Sequence, residues 1–153
     1  MICDEEANIL LKKAKREIYI ARRNLNDELY PEAVFDAQRA AEKAMKAAIR
    51  IVGRGYPKNH DPSGIFGEIM LKELKNRLPQ ELLNEVPKLG RAMNKLANMR
   101  SVAEYPIEEE GRVIPPWEQI ERTDAEKAIS AAEEIIAWVE KFIKWWKSVG
   151  KRQ

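Results

Sequence analysis

The sequence predicts an all-α fold, an antiparallel up-and-down bundle of about five helices. Apolar residues recur at three- and four-residue steps through most of the chain, and no segment of useful length alternates with the period of a strand. Charged residues make up 34% of the 153 residues and aromatic residues 7%, which is typical of a charge-rich helical domain in water. This length favours a single domain over residues 1–153.

The first two helices are predicted by an apolar stripe and by a proline. The stripe between residues 5 and 26 consists of Leu10, Ala14, Ile18, Ala21 and Leu25. The second helix is expected to begin at Pro31, because a proline in the first helical position gives up no hydrogen bond. It should end near Val52, since Gly53 is a typical helix-terminating residue.

The third helix is predicted to follow a polar loop over residues 53–64. Asp61 and Pro62 supply its N-cap and a first-turn residue, and the break at Leu78-Pro79 ends it.

The last two helices are separated by a loop over residues 106–117. One runs from near Val86 to Glu104, because a proline at 106 forces the preceding residue out of helical dihedral angles. The other is expected to begin at Thr123, with Glu126 as its capping-box partner.

Composition narrows the classes of function. Cys3 is the only cysteine and His60 the only histidine, so the sequence predicts no disulfide, no zinc site and no cofactor. A di-metal carboxylate bundle is not expected, since the chain lacks paired Glu-x-x-His motifs. The longest wholly apolar run, residues 135–139, is too short to span a membrane, and the N-terminus lacks the pattern of a signal peptide. We therefore expect a cytoplasmic location. A net charge of +2 does not by itself indicate nucleic-acid binding.

The second helix carries a basic arc, consisting of Arg39, Lys43, Lys46 and Arg50, opposite its apolar arc. One interpretation is a solvated face. The other is a groove that faces phosphate, in which Lys46 and Arg50 are candidate ligands.

Arg100 lies on the apolar stripe of the fourth helix, where a charge is costly unless it is paired. Either it makes a structural ion pair, or it opens into a cleft or a dimer seam and binds an anion. His60 is expected to serve as a turn residue, with a catalytic role or phosphate binding as the alternatives.

Apolar residues outside the main stripes predict a homodimer. Trp138 and Trp145 flank the broad stripe of the last helix, and Ile9 and Ile20 lie off the main stripe of the first. A second buried contact would account for them, and the commonest such contact is a symmetric dimer.

A resemblance to a known family begins in the second helix. The segment YPEAVFDAQRAAEKAMKAAI, residues 30–49, resembles the second helix of the HEPN family, the higher eukaryotes and prokaryotes nucleotide-binding domain. The similarity rests on an AQ-x-AAEK string, on the following Gly53 and on His60-Asp61. Residues 103–106, Ala-Glu-Tyr-Pro, are similar to the family's Ala-Arg-Tyr-Pro turn, with Glu104 where arginine is frequent. The similar region covers residues 7–145.

The resemblance implies a module similar to the substrate-binding subunit of nucleotidyltransferases, usually dimeric and often encoded beside a minimal nucleotidyltransferase. It predicts that the chain binds a nucleotide or RNA, such a partner, or both. A purely structural interaction protein is a further alternative.

The remaining alternative is a metal-independent endoribonuclease, the toxin of a toxin–antitoxin pair. Ribonucleases of the family combine an arginine with a histidine that follows four to six residues later. Arg100 matches the arginine, but Tyr105 stands where the histidine is needed, and a phenol is a poor general base at neutral pH. Arg100 and Tyr105 are therefore degenerate catalytic candidates, and the sequence favours a binding module over an enzyme.

Overall fold

The computed structural model describes residues 2–149 as a bundle of long helices with one small hairpin. In chain order the elements are α1 (Ile2–Asn26), α2 (Tyr30–Ile51), α3 (Ser63–Glu68), α4 (Gln80–Leu83), α5 (Val86–Glu104), β1 (Ile107–Glu109), β2 (Arg112–Ile114), α6 (Pro116–Gln119) and α7 (Arg122–Ser148). A π-helical turn, Ile69–Glu73, continues α3. The all-α prediction is confirmed, and the five predicted helices correspond to α1, α2, α3, α5 and α7. The two four-residue helices and the hairpin were not predicted.

The second helix, α2, is the centre of the bundle. It packs against α1, α5 and α7, and it is buried around most of its circumference. Small side chains make this packing close, because they let neighbouring helices approach the α2 backbone. Its fully buried alanines are Ala33, Ala37, Ala40, Ala41, Ala44, Ala47 and Ala48.

The first helix, α1, presents its small residues to α2 and leaves larger ones outside. Its buried face contains Ala14 and Ala21, whereas Ile9 and Ile20 are exposed, as the stripe pattern predicted. The exception on the buried face is Glu17, whose residue surface is only 1% exposed.

Trp138 of α7 lies in the core of the monomer, which corrects its assignment to a dimer face. Its ring centroid is 5.2 Å from those of both Phe66 and Phe142. Its indole N–H donates to the backbone oxygen of Leu82 at 3.0 Å, so the buried polar atom is satisfied. Trp145 is half-buried beside Phe142, with 5.9 Å between the ring centroids. The Trp138 flank of α7 is therefore covered within the monomer, by Phe66 of α3 and Leu82 of α4, while most of the stripe packs against α2 and α1.

Two helix starts differ from the predicted ones. The last helix, α7, begins at Arg122, and its capping box pairs Glu121 with Asp124, whose Oδ2 accepts the Glu121 backbone N–H at 2.9 Å. The predicted box of Thr123 and Glu126 was wrong because a carboxylate two residues earlier serves the same purpose. The helix α3 begins at Ser63 with Pro62 at the N-cap position, so the predicted N-cap, Asp61, lies one residue too early; its Oδ1 still accepts the backbone N–H of Ser63 at 3.0 Å.

The predicted loop 106–117 contains the hairpin of β1 and β2. The strands are antiparallel, with Ile107 opposite Ile114. Glu110 and Gly111 form the turn, with φ of 51° and 76°, the left-handed pair that a tight two-residue hairpin turn requires. Three-residue strands are too short to show a period, so the pattern did not reveal them. Within residues 2–149, no helix is both long and apolar enough to cross a membrane.

Candidate functional site

A cleft of ≈240 Å³ opens between the C-terminal half of α5 and the loop that joins α2 to α3. Three polar groups that suit an anion, the side chains of Arg100, His60 and Ser101, lie on its wall. The full lining consists of His60, Ala97, Arg100, Ser101, Glu104 and Tyr105. Of the five candidate residues from the sequence, the structure thus brings together three: His60, Arg100 and Tyr105.

Arg100 is held in place by α2 and by its own helix. Its Nη1 donates to Gln38 Oε1 at 2.7 Å, and its Nε donates to Glu104 Oε1 at 2.9 Å. Its guanidinium carbon lies 4.4 Å from the ring centroid of Phe35, a cation–π contact that covers this phenylalanine. The side chain is only 17% exposed. Arg100 therefore combines both predicted possibilities, since it makes structural ion pairs with Glu42 and Glu104 and also lines the cleft.

Glu42 of α2 is the buried carboxylate behind the cleft. Its Oε1 lies 3.1 Å from His60 Nδ1 and 3.7 Å from Arg100 Nη1, and it accepts Gln38 Nε2 at 3.2 Å. Its Oε2 accepts Lys46 Nζ at 2.7 Å. Burial alone would raise the pKa of Glu42, but the hydrogen bond and charge of Lys46, together with hydrogen bonds from Gln38 and His60, lower it. Glu42 is therefore a carboxylate at neutral pH.

The loop that carries His60 is fixed to α2 through its backbone. Gln38 Nε2 donates to the His60 carbonyl at 2.8 Å, and Lys46 Nζ donates to the Asn59 carbonyl at 2.9 Å. The imidazole itself is 55% exposed. Since Glu42 holds Nδ1, the ring nitrogen that remains for an incoming group is Nε2.

The fold places His60 near Arg100, although the sequence offered only Tyr105 at the spacing where the family's histidine is needed. Along the chain His60 lies far before Arg100, so the pair does not have the family's Arg…His spacing. In the fold both contact Oε1 of Glu42, because the loop folds back over α2.

Lys46 and Arg50, the other two phosphate-ligand candidates, lie outside this cleft. Lys46 is buried, ion-paired with Glu42, and 5.2 Å from the ring centroid of Tyr56. Arg50 Nε donates to Glu6 Oε1 at 2.9 Å, and the Tyr56 hydroxyl donates to Glu6 Oε2 at 3.0 Å. Both cations are therefore engaged by carboxylates of the protein.

The rest of the basic arc faces α1. Arg39 Nη2 and Lys43 Nζ lie 3.1 Å and 3.2 Å from the same oxygen, Oε1 of Glu17. The arc is thus neither a freely solvated face nor an open groove, because each of its four cations lies beside a carboxylate of α1 or α2. Glu17 lies on the apolar stripe of α1, and this position in the sequence could have predicted a buried carboxylate that needs a cationic partner.

Sequence reasoning did not select Gln38 and Glu42, the two α2 residues that orient Arg100 and His60. A signal existed, since Gln38, Glu42 and Lys46 succeed one another at four-residue steps on one face of the helix. Both residues also belong to the AQ-x-AAEK string that carries the family resemblance. No group of three or more histidine, cysteine, aspartate or glutamate side chains within residues 2–149 is arranged to hold a metal ion.

These features define a class, an all-helical bundle module in which the central helix orients an arginine and a histidine at a surface cleft. The HEPN domain family matches residues 7–142, and the chain belongs to the HEPN family.

Three other proteins are similar to this chain. The chain is 27% identical over 139 residues to the Methanocaldococcus jannaschii protein named "Putative toxin MJ1304", covering 90% of this chain and 88% of that protein. The crystal structure of TT1696 from Thermus thermophilus is similar at a TM-score of 0.67 and 27% identity, over 90% of this chain and 98% of that one. The archaeal HEPN homologue ST0689 has the same fold, with a TM-score of 0.64, 24% identity and the same shares covered.

Proposed function

We propose that this protein is a HEPN module that binds the phosphate of a nucleotide or RNA in the cleft between α5 and the α2–α3 loop. The observation that carries the proposal is the convergence of Arg100 and His60 on one oxygen of Glu42. Both side chains line the same cleft, so a ligand there meets a guanidinium and an imidazole together.

The geometry suits an anion of this kind. A guanidinium presents several N–H groups in a fixed plane, and its contacts with Gln38, Glu104 and Phe35 hold that plane before a ligand arrives. Orientation in advance reduces the entropy lost on binding. Lys46 compensates the charge of Glu42, so this carboxylate positions the two ligand groups without leaving the site strongly acidic.

Calorimetry with adenosine 5′-monophosphate tests the proposal. Arg100→Ala should weaken binding by about tenfold or more, the loss expected for a hydrogen bond to a charged group, and Arg100→Lys should restore only part of it. Arg91→Ala is the matched control, because Arg91 is an exposed cation of the same helix outside this cleft. Equal losses in the Arg91 and Arg100 variants, or no binding by the wild type, would contradict the proposal.

A second candidate function is metal-independent cleavage of RNA, as in a toxin. The observation that favours it is the exposed imidazole beside Arg100, and the relative named as a toxin is consistent with it. The arginine would stabilise charge on the scissile phosphate, and His60 Nε2 would accept the proton of the attacking 2′-hydroxyl.

Incubation of structured RNA with the protein in a chelator distinguishes the two functions. Cleavage that both Arg100→Ala and His60→Ala abolish would favour the ribonuclease. Binding of the RNA without cleavage would exclude the ribonuclease and support the binding module.

A minimal nucleotidyltransferase is the proposed protein partner, and its co-purification with this chain is the test. Self-association is part of the same proposal. Ile2, Ile9 and Ile20 are exposed and follow one stripe of α1, an apolar face that a second copy would cover.

A further inference from the structure

A second cleft adjoins the Arg100 cleft and has a different chemical character. It has a volume of ≈310 Å³ and shares Glu104 with its neighbour. Its walls are largely apolar and stiff, consisting of Pro31, Glu32, Ala103, Glu104, Pro106, Pro115, Pro116 and Trp117. Tyr105, which lines the first cleft, directly precedes a proline of the second.

Trp117 is the most unusual residue of this cleft. Its side chain is 73% exposed, although tryptophan is the largest of the apolar residue types. Trp138, by contrast, is buried in the core. It stands on α6 (Pro116–Gln119), which two prolines introduce, and Pro116 is itself buried. A tryptophan held by such a stiff segment loses little freedom on binding a flat ligand.

We infer that this second cleft takes the unpaired base of the nucleotide whose phosphate occupies the Arg100 cleft, with the base stacked on Trp117. The inference rests on the proposed function and deepens it. Aromatic side chains beside a phosphate-binding group are the usual means by which proteins hold a single-stranded base. Glu32 and Glu104 also line the cleft, and acidic residues there suit a base that presents an amino group as donor.

The hairpin limits how the ligand continues. β1 follows Pro106 and β2 precedes Pro115, both of the second cleft, and the hairpin carries three carboxylates, Glu108, Glu109 and Glu110, against one cation, Arg112, which lies opposite Glu109. These carboxylates repel a phosphate chain that would run on past the base. The cleft therefore fits a mononucleotide or the terminal nucleotide of an RNA strand.

Calorimetry with two probes separates the base from the phosphate. Adenosine 5′-monophosphate should bind wild-type protein about tenfold tighter than ribose 5-phosphate, the advantage expected of one stacked base. Trp117→Ala should remove this advantage and leave the ribose 5-phosphate affinity unchanged, while Trp117→Phe should retain most of it. Tyr19→Ala is the control, since Tyr19 is an exposed aromatic residue on α1.

The outcomes distinguish this inference from the proposed function. Equal affinities of the two probes in the wild type, or an unchanged nucleotide affinity in Trp117→Ala, would overturn the base site and leave phosphate binding intact. Loss of a protein partner without any change in nucleotide affinity would also overturn it, and would assign Trp117 to a docking surface. Failure of both probes to bind would refute the proposed function together with the inference.

Discussion

His60 and Arg100 contact the same atom, Oε1 of Glu42, at 3.1 Å and 3.7 Å. The carboxylate belongs to the central helix, whereas the histidine lies in a loop and the arginine on α5. A guanidinium and an imidazole on one cleft thus share a single buried glutamate.

Acid should destabilise the protein partly through Glu42. The pKa of Glu42 is lowered in the fold, so its contribution to stability is complete above the unfolded value near 4.5 and is lost as pH falls through the folded value. Glu42→Gln should cost roughly 1–3 kcal/mol at neutral pH, because it leaves Lys46 buried without its charge partner. Urea unfolding at pH 7 and at pH 3 should show this difference shrinking in acid. A difference that does not change with pH would contradict the assignment.

Asp36 should behave in the opposite sense. Burial raises the pKa of Asp36, although a hydrogen bond from Asn24 opposes the shift. A raised carboxyl pKa means that the ionised form costs stability in full above the folded pKa, and that this cost fades as pH falls through the folded pKa and is gone below the unfolded value near 3.8. Asp36→Asn should therefore be neutral or stabilising at pH 7, with any gain fading in acid. A clear loss of thermal stability at pH 7 would show instead that the Asn24 hydrogen bond dominates.

Glu17 is expected to be essential to the packing of α1 on α2. Its buried carboxylate lies beside Arg39 and Lys43, so its removal leaves two half-buried cations without their counter-charge. Glu17→Ala should lower the free energy of unfolding by about 1–3 kcal/mol, because solvent partly screens the two cations that remain. Glu140→Ala, which removes an exposed ion pair with Lys15, should cost less than about 1 kcal/mol. Similar effects of the two substitutions on urea unfolding would show that burial does not govern the interaction.

Trp138→Phe should destabilise the core without changing the fold. The substitution removes the indole donor to the Leu82 carbonyl and leaves a cavity beside Phe66 and Phe142. The combined loss should be about 2–4 kcal/mol. Thermal unfolding followed by circular dichroism measures it, and sedimentation should show an unchanged oligomeric state. A change of oligomeric state would contradict this position and indicate that Trp138 lies in an interface between two copies of the chain.

The outer face of α1 should govern self-association. Ile9→Lys with Ile20→Lys should shift a dimer to a monomer in sedimentation velocity and leave the melting temperature of the monomer nearly unchanged, because both side chains are exposed. Val113→Lys, an exposed apolar residue on β2, is the control and should not change the association. A dimer that persists in the double variant would place the interface elsewhere.

The sequence by itself determined the helical class, the order of the long helices and most of their core faces. These properties depend on local periodicity and on helix-terminating residues such as Gly53, whose φ of 85° only glycine adopts without strain. The exposed positions of Ile9 and Ile20 followed from the same periodicity. The AQ-x-AAEK string also pointed to the family before any contact was known.

Only the tertiary structure decided which charges meet. Periodicity places Glu17, Glu42 and Arg100 on helix faces, but it does not tell which neighbouring element covers each face. The loop after α2 could not be oriented from its composition, so His60 was separated from Arg100 until the fold brought both to Glu42. Pairing of charges acts between segments that are distant along the chain, and for this reason the cleft is a property of the fold.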